Sequence, residues 1–195
     1  MSNLPITRAQ AIGILKSQNP EEFDLIHYLM SEAVMREVAL KLGEDPDYYG
    51  MLGLLHDVDW TLTKNDVSSH LTKAPEILRG ADFNEEFIEN VLSHGYGFPE
   101  LPELKNKVRN KKIEWVLASS ETLTGLVYAY ALMREKKITD MEVKGLKKKF
   151  RDKTFAAGCR REIIAEIEKA GLTLDELFLC SIEGIKKIKD EIGLA

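Results

Sequence analysis

Residues 48–58, YYGMLGLLHDV, combine a nearly continuous apolar run with the pair His56-Asp57 close to its end. The run is typical of an α-helix that is buried on most of its sides, and Asp47 is positioned to cap its first turn. Burial of a carboxylate costs several kcal/mol unless the group is paired or bound to a metal ion. We therefore expect Asp57 to have a cationic partner inside the protein.

Helix signals continue along the chain on both sides of this segment. A helix with Asn19 as its N-cap residue carries apolar residues at four-residue spacing and stops near Gly43. The other predicted helices are Ala74–Arg79, a helix opened by Asp82, Lys112–Met133, a helix opened by Thr139, Cys159–Ala170, and a helix opened by Thr173. No segment alternates apolar and polar residues as a strand would, so we predict an all-α protein of about eight helices.

Composition favours one folded domain that covers residues 1–195. Hydrophobic residues make up 44% of the 195 residues, enough to form a core without disulfide bonds. Cys159 and Cys180 are far apart and form no CxxC pair, which is typical of a reducing, intracellular setting. The N-terminus lacks a signal-peptide pattern, and no apolar run approaches the length of a membrane span. We therefore expect a cytoplasmic protein without a membrane segment.

The charge balance argues against a protein that coats nucleic acid. The chain has 27 basic and 32 acidic residues, a net charge of −5. One basic segment, Lys144–Lys153, has two interpretations. It faces a phosphate-rich ligand, or it is a solvated helix face paired with nearby acids, which is the commoner arrangement. Trp60 and Tyr96 are likewise either pocket-lining or simply packed aromatic residues.

The only histidines of the chain are His27, His56, His70 and His94, and all of them lie in its first half. A single histidine on a helix is more often a hydrogen-bonded structural residue than a metal ligand. Here, however, imidazole and carboxylate groups recur together, a donor combination that suits Zn, Fe, Mn, Co or Ni. The order of His27, then His56-Asp57, then a late acidic residue on an apolar helix makes a metal site the stronger interpretation.

This ordered set resembles the HD superfamily of metal-dependent phosphohydrolases, and in particular a subgroup of small stand-alone bacterial and archaeal members. The resemblance covers roughly residues 20–170. The segments that contribute to it are His27, GLLHDVD (Gly53–Asp59), His70, SHGY (Ser93–Tyr96), ASSETLTGLVYA (Ala118–Ala129) and KGLKKKFRDKTFAAGCRREII (Lys144–Ile164). It implies a helical bundle with a metal site at its centre, a core over about 20–135, and C-terminal helices over about 139–195 that pack on this core.

By position, the ligands that the resemblance implies are His27, His56, Asp57 and Glu121. Glu121 is a departure, because the family normally has aspartate there; its longer side chain can bind by another rotamer or through water. His70 and His94 occupy positions that form a second metal site in two-metal members. Their alternatives are phosphate contacts beside a single metal, or ordinary hydrogen bonds to helix ends. The expected cofactor is one or two divalent ions of Fe, Mn, Ni, Zn, Co or Mg.

The reaction that the resemblance implies is hydrolysis of a small phosphate ester such as a nucleotide. In this interpretation Asp57 holds the attacking water and takes its proton, Asp59 orients water or protonates the leaving group, and Lys64 contacts the phosphate. For Asp59 the alternative is a turn-forming role, which is commoner for a loop aspartate. Two alternatives remain open at this point. One is a di-iron oxygenase of the same superfamily, and the other is a metal- and nucleotide-binding regulatory module without turnover. The sequence does not fix the oligomeric state.

Overall fold

All regular secondary structure in residues 4–195, the range that the computed structural model describes, is helical. The α-helices are α1 (Arg8–Ser17), α2 (Glu22–Leu42), α3 (Pro46–Leu55), α4 (Trp60–Thr63), α5 (Ala74–Gly80), α6 (Glu85–Leu92), α7 (Lys112–Met133), α8 (Val143–Arg151), α9 (Arg161–Ile164) and α10 (Leu174–Lys187). Short 3-10 helices cover Val67–Ser69, Ser93–Gly95 and Ala165–Ala170. The predicted all-α class is confirmed, and eight of these described α-helices exceed a single turn.

Helix α2 lies at the centre of the bundle, where α3, α7 and α10 all pack against it. Two glycines allow the closest approaches. A Cβ atom added at Gly53 of α3 would lie 2.5 Å from the Ser31 carbonyl oxygen of α2, and one at Gly184 of α10 would lie 2.6 Å from that of Ala33. The backbones of these helices therefore meet directly, which fixes the end of α3 relative to α2.

Several predicted helix starts are wrong by a few residues, and the backbone shows why. Asn19 and Asp82 have φ values of 54° and 61°, in the left-handed region rather than in the extended conformation of an N-cap residue. Glu21 and Asn84 occupy the N-cap positions instead. The predicted helix Cys159–Ala170 starts two residues too early, since α9 begins at Arg161, and it then passes into a 3-10 helix that ends at Ala170 as predicted.

Helix α3 is capped by Asp45 rather than by the predicted Asp47. One carboxylate oxygen of Asp45 accepts from the backbone N–H groups of Asp47 and Tyr48, at 2.9 and 3.3 Å. Pro46 takes the first helical position, where its missing N–H costs nothing. The cap starts α3 so that its last turn delivers His56 and Asp57 to the centre of the bundle.

The C-terminal helices pack on the core formed by α2 and α7. Helix α10 contacts both of them, and α8 and α9 contact α7. The chain end is held as well, because the Ile138 backbone N–H donates to the Ala195 carbonyl oxygen at 2.7 Å. The single-domain prediction for residues 1–195 includes residues 1–3, which lie outside the described residues.

Candidate metal centre

Five of the six predicted metal ligands lie together between α2, α3 and the two 3-10 segments that follow. They are His27 of α2, His56 and Asp57 at the end of α3, His70 beyond the first 3-10 helix and His94 within the second. All of them except the fully buried His56 line the wall of a cavity of about 480 Å³. Residues 67 positions apart in sequence thus meet in one place.

The first ligand set is formed by His27, His56 and Asp57. The Nε2 atoms of His27 and His56 are 3.0 Å apart. The Oδ2 atom of Asp57 lies 3.7 Å from Nε2 of His27 and 3.4 Å from Nε2 of His56. Three donor atoms of the types that divalent metals prefer therefore converge on one point.

The second ligand set is formed by the other carboxylate oxygen of Asp57 with His70 and His94. Oδ1 of Asp57 lies 3.2 Å from Nε2 of each histidine, and the two Nε2 atoms are 3.4 Å apart. Asp57 thus contributes one oxygen to each set. This arrangement could hold a metal ion on either side of the carboxylate.

The opposite ring nitrogens of His56 and His94 are held by backbone carbonyl groups. Nδ1 of His56 is 2.8 Å from the Gly53 oxygen, and Nδ1 of His94 is 2.7 Å from the Val91 oxygen. A carbonyl oxygen only accepts, so Nδ1 bears the hydrogen in both rings. When these rings are neutral, Nε2 presents a lone pair to the cluster.

The other two histidines are fixed in the same tautomer. The Thr124 hydroxyl donates to the Glu121 carbonyl oxygen at 2.6 Å, so it accepts from Nδ1 of His27 at 2.9 Å. Nδ1 of His70 is 3.0 Å from Oδ1 of Asp59 and donates to it. All four Nε2 lone pairs therefore point at the oxygens of one carboxylate and at each other. Such atoms repel unless a proton or a cation lies between them, so the donor set fits divalent cations.

In the metal-free protein, protons take the place of cations. Burial lowers the pKa of His70, but hydrogen bonds to the Asp57 and Asp59 carboxylates outweigh burial and raise it to about 10. Burial likewise opposes ionisation of His56, yet the charge of Asp57 raises its pKa. Burial and the neighbouring His56 lower the pKa of His27 to about 4. The second ligand set thus contains a histidine, His70, that holds a proton at neutral pH, and the pKa of His56 in the first set is shifted in the same direction.

Asp57 is the anion that these protons balance. Burial alone would raise its pKa, but the charge of His56 and hydrogen bonds from three imidazoles hold the pKa well below the usual range. Four histidines surround both oxygens of Asp57, and His70, with its raised pKa, meets the sequence-based expectation of a cationic partner.

Glu121 is the sixth predicted ligand. Among the described residues, its carboxylate belongs to neither of the two ligand sets. It lies on α7, lines the same cavity, and accepts a hydrogen bond from the Thr122 hydroxyl at 2.5 Å. Burial raises the pKa of its carboxyl group. Its role as a ligand, directly or through water, stays a prediction.

Asp59 is fully buried on the Nδ1 side of His70. Its Oδ1 atom also accepts from the Leu71 backbone N–H, and its Oδ2 atom accepts from those of Lys73 and Ala74 at the start of α5. The two oxygens of this carboxylate thus accept four hydrogen bonds, which fix the His70 ring and the loop that follows it. The geometry favours this positioning role over the catalytic role predicted from the sequence.

We expect Asp59→Asn to weaken metal binding at the His70 set by about tenfold to a hundredfold, since it removes an acceptor that orients a ligand. Binding at the His27 set should change little. Titration of the stripped protein with Mn²⁺ measures both sites, and Asp66→Asn in the same loop is the matched control. Loss of turnover with unchanged metal affinity would instead indicate a direct catalytic role for Asp59.

Lys64 is already engaged in two ion pairs. Its Nζ atom lies 2.5 Å from Oε1 of Glu21 and 3.3 Å from Oδ2 of Asp24, both near the start of α2. These contacts join the segment after α4 to α2. They favour a structural ion pair over the phosphate contact predicted from the sequence.

The cavity wall includes residues that the sequence did not single out. Trp60 also lines the cavity, as the pocket-lining interpretation of this residue predicted. The Tyr96 hydroxyl instead donates a hydrogen bond to Glu89 at 2.5 Å. Phe23, Tyr28, Phe98 and Arg160 also line the cavity. Arg160 falls inside the basic C-terminal segment of the resemblance, but nothing in that segment distinguishes it from its neighbours.

Arg109 is a buried residue that holds the segment around His94. Its Nη1 atom donates to the backbone carbonyls of Ser93, His94 and Tyr96 at 3.1, 3.2 and 2.7 Å. Its Nε atom donates to Glu166 at 2.5 Å. The guanidinium therefore replaces helical hydrogen bonds where the second 3-10 helix ends, and it fixes the backbone of a metal-ligand candidate.

Comparison of the chain with models of known protein families, with curated proteins and with solved structures finds no match. Among the described helices, none is long and apolar enough to cross a membrane.

Proposed function

We propose that this protein is a metal-dependent phosphohydrolase that uses two divalent cations to hydrolyse a small phosphate ester. The observation that supports it most is the convergence of four Nε2 atoms on both oxygens of Asp57. The ordered motifs that resemble the HD superfamily favour phosphate ester hydrolysis over other reactions of such a centre.

The first ion would be held by His27, His56 and Asp57, and the second by Asp57, His70 and His94. Bound divalent ions supply Lewis-acid polarisation of a phosphoryl oxygen and a water molecule of lowered pKa. Around them, Thr124, Asp59 and two backbone carbonyls keep the imidazoles in the tautomer that leaves Nε2 free.

The cavity beside the cluster limits the size and nature of the substrate. Its volume of about 480 Å³ suits a small molecule rather than a polymer. Trp60, Phe98 and the half-exposed Phe23 provide aromatic surfaces on its wall. These surfaces fit a planar or apolar organic group on the ester, which is compatible with a nucleotide, and they exclude bulk water around it.

The test is phosphate release by protein that has been stripped and then reloaded with Mn²⁺, Fe²⁺, Zn²⁺, Ni²⁺ or Co²⁺. The panel contains nucleoside monophosphates, aryl phosphates and a phosphodiester. We expect turnover of at least one monoester or diester that chelation abolishes and reloading restores. Absence of release from every substrate by protein with two bound ions would contradict the proposal.

A di-iron oxygenase is a second candidate, and one structural observation favours it. Four imidazoles and a shared carboxylate form two ligand sets, although no second histidine follows His94 in sequence. Nitrogen-rich sets with open positions also suit iron that reacts with dioxygen. Dioxygen consumption by the Fe²⁺-loaded protein, coupled to oxidation of an organic substrate, would support this function in place of hydrolysis.

A further inference from the structure

Arg160 projects from the loop before α9 onto the wall of the metal-centre cavity. Its guanidinium carbon lies 4.1 Å from the ring centroid of Phe98, and its Nη2 atom lies 2.7 Å from Oε1 of Glu100. About a third of the Arg160 side chain is exposed, and half of that of Glu100. The guanidinium thus packs over the aromatic ring while its Nη2 atom makes an exposed ion pair.

The adjacent arginine has a different environment. Arg161 donates to five backbone carbonyl oxygens between residues 150 and 159, namely those of Phe150, Asp152, Phe155, Ala156 and Cys159. These bonds hold the loop from which Arg160 projects. Among the described residues, by contrast, Arg160 has Glu100 as its hydrogen-bond partner, which leaves most of its five N–H donors available to a ligand.

The charges on the cavity wall make this arginine distinctive. Asp24, Asp57, Glu100 and Glu121 contribute carboxyl groups, and among the described lining residues Arg160 is the one arginine or lysine. An anionic substrate needs positive charge beyond the metal ions. Because the ion pair with Glu100 is exposed, exchanging this partner for another anion costs little.

We propose that Arg160 binds the phosphate group of the substrate and that Glu100 is the resting counter-ion it leaves on binding. This inference rests on the proposed phosphohydrolase function and names the residue that selects a phosphate ester at that site. A guanidinium group can donate two parallel hydrogen bonds to a phosphate. The contact of Arg160 with Glu100 uses a single hydrogen bond.

The experiment compares Arg160→Gln, Glu100→Gln and Arg151→Gln with the wild type. Arg151 is an exposed arginine of α8 outside this cavity and serves as the matched control. Isothermal titration of the metal-loaded proteins with inorganic phosphate gives the Kd of each. We expect Arg160→Gln to weaken phosphate about tenfold, Glu100→Gln to tighten it a few-fold, and Arg151→Gln to leave it unchanged.

Opposite signs for the two cavity variants distinguish recognition from a structural latch. If the ion pair only held the two loops together, both variants would weaken phosphate binding and lower the melting temperature alike. That result, or an unchanged Kd in Arg160→Gln, would overturn the inference.

Binding is measured without turnover, so the two proposals fail separately. Phosphate binding that depends on Arg160 in a protein without hydrolytic activity would support the inference and contradict the proposed function. Phosphate ester hydrolysis with the same Kd and KM in Arg160→Gln would support the function and overturn the inference. Failure of the wild type to bind phosphate would also overturn it.

Discussion

Asp57→Ala is expected to remove both metal ions and to lower kcat by more than about a thousandfold, which corresponds to roughly 4 kcal/mol of activation free energy. Asp57 contributes one oxygen to each ligand set, so no other single substitution removes a donor from both. Metal analysis per chain, circular dichroism and the phosphate-release assay measure the three consequences: lost metal, retained helix and lost turnover.

The matched control for this variant is Asp47→Ala, which removes an exposed carboxylate from the same helix, α3. Its metal content and activity should equal those of the wild type. Full metal occupancy in Asp57→Ala would contradict the assignment of Asp57 as the shared ligand. An unfolded Asp57→Ala protein would show that the carboxylate is needed for the fold itself.

Metal loading is expected to stabilise the protein strongly, and more at pH 8.5 than at pH 6. At a free metal concentration a thousand times Kd, binding contributes about 4 kcal/mol of stability, or roughly 10 °C in Tm for a chain of this size. His70 holds a proton in the metal-free state because its pKa is raised to about 10, and the charge of Asp57 raises the pKa of His56 in the same direction. The proton on His70 must leave, so affinity for the His70 set should rise about tenfold per pH unit below its pKa.

The metal-free protein should show the opposite pH dependence. The folded-state pKa of His70 is about 10, above its unfolded value of about 6.5. The stability that His70 contributes is therefore fully present below about pH 6.5 and is lost as the pH rises through 10. Thermal melts of stripped and loaded protein from pH 6 to 9 measure both trends. Parallel slopes in the two forms would contradict metal binding at the protonated histidines.

Local sequence signals predicted much of the fold because they depend on neighbouring residues alone. The long helix Lys112–Met133 has the predicted bounds, and the capping box of Thr173 with Glu176 forms as expected. Gly43 ends α2 in the left-handed conformation, with φ of 73°. The errors at Asn19 and Asp82 arose because good N-cap residue types there adopt left-handed backbone conformations.

The histidine cluster was predictable because its members share one chemistry and an order along the chain. The roles of Asp59 and Lys64 could not be predicted in the same way, because they depend on hydrogen bonds and ion pairs that form only in the folded chain. Asp59 is enclosed by backbone N–H groups that only the turn before α5 brings to it. Lys64 meets two acids some forty residues earlier in sequence.

The contacts of two arginines near the cavity could not be predicted from the sequence either, because their partners are still farther away along the chain. Arg109 reaches Glu166, 57 residues away, and Arg160 reaches Glu100, 60 residues away. Composition and periodicity contain no information on such pairs. Only packing of the C-terminal helices against α7 decides which arginine is buried and which faces the cavity.

Anomalous X-ray diffraction from crystals of the metal-loaded protein tests the central claim most directly. Data collected on both sides of the absorption edge locate each bound ion and identify its element. The account predicts two anomalous peaks, one between His27, His56 and Asp57 and the other between Asp57, His70 and His94. No peak at Asp57, or peaks only at surface carboxylates, would contradict it.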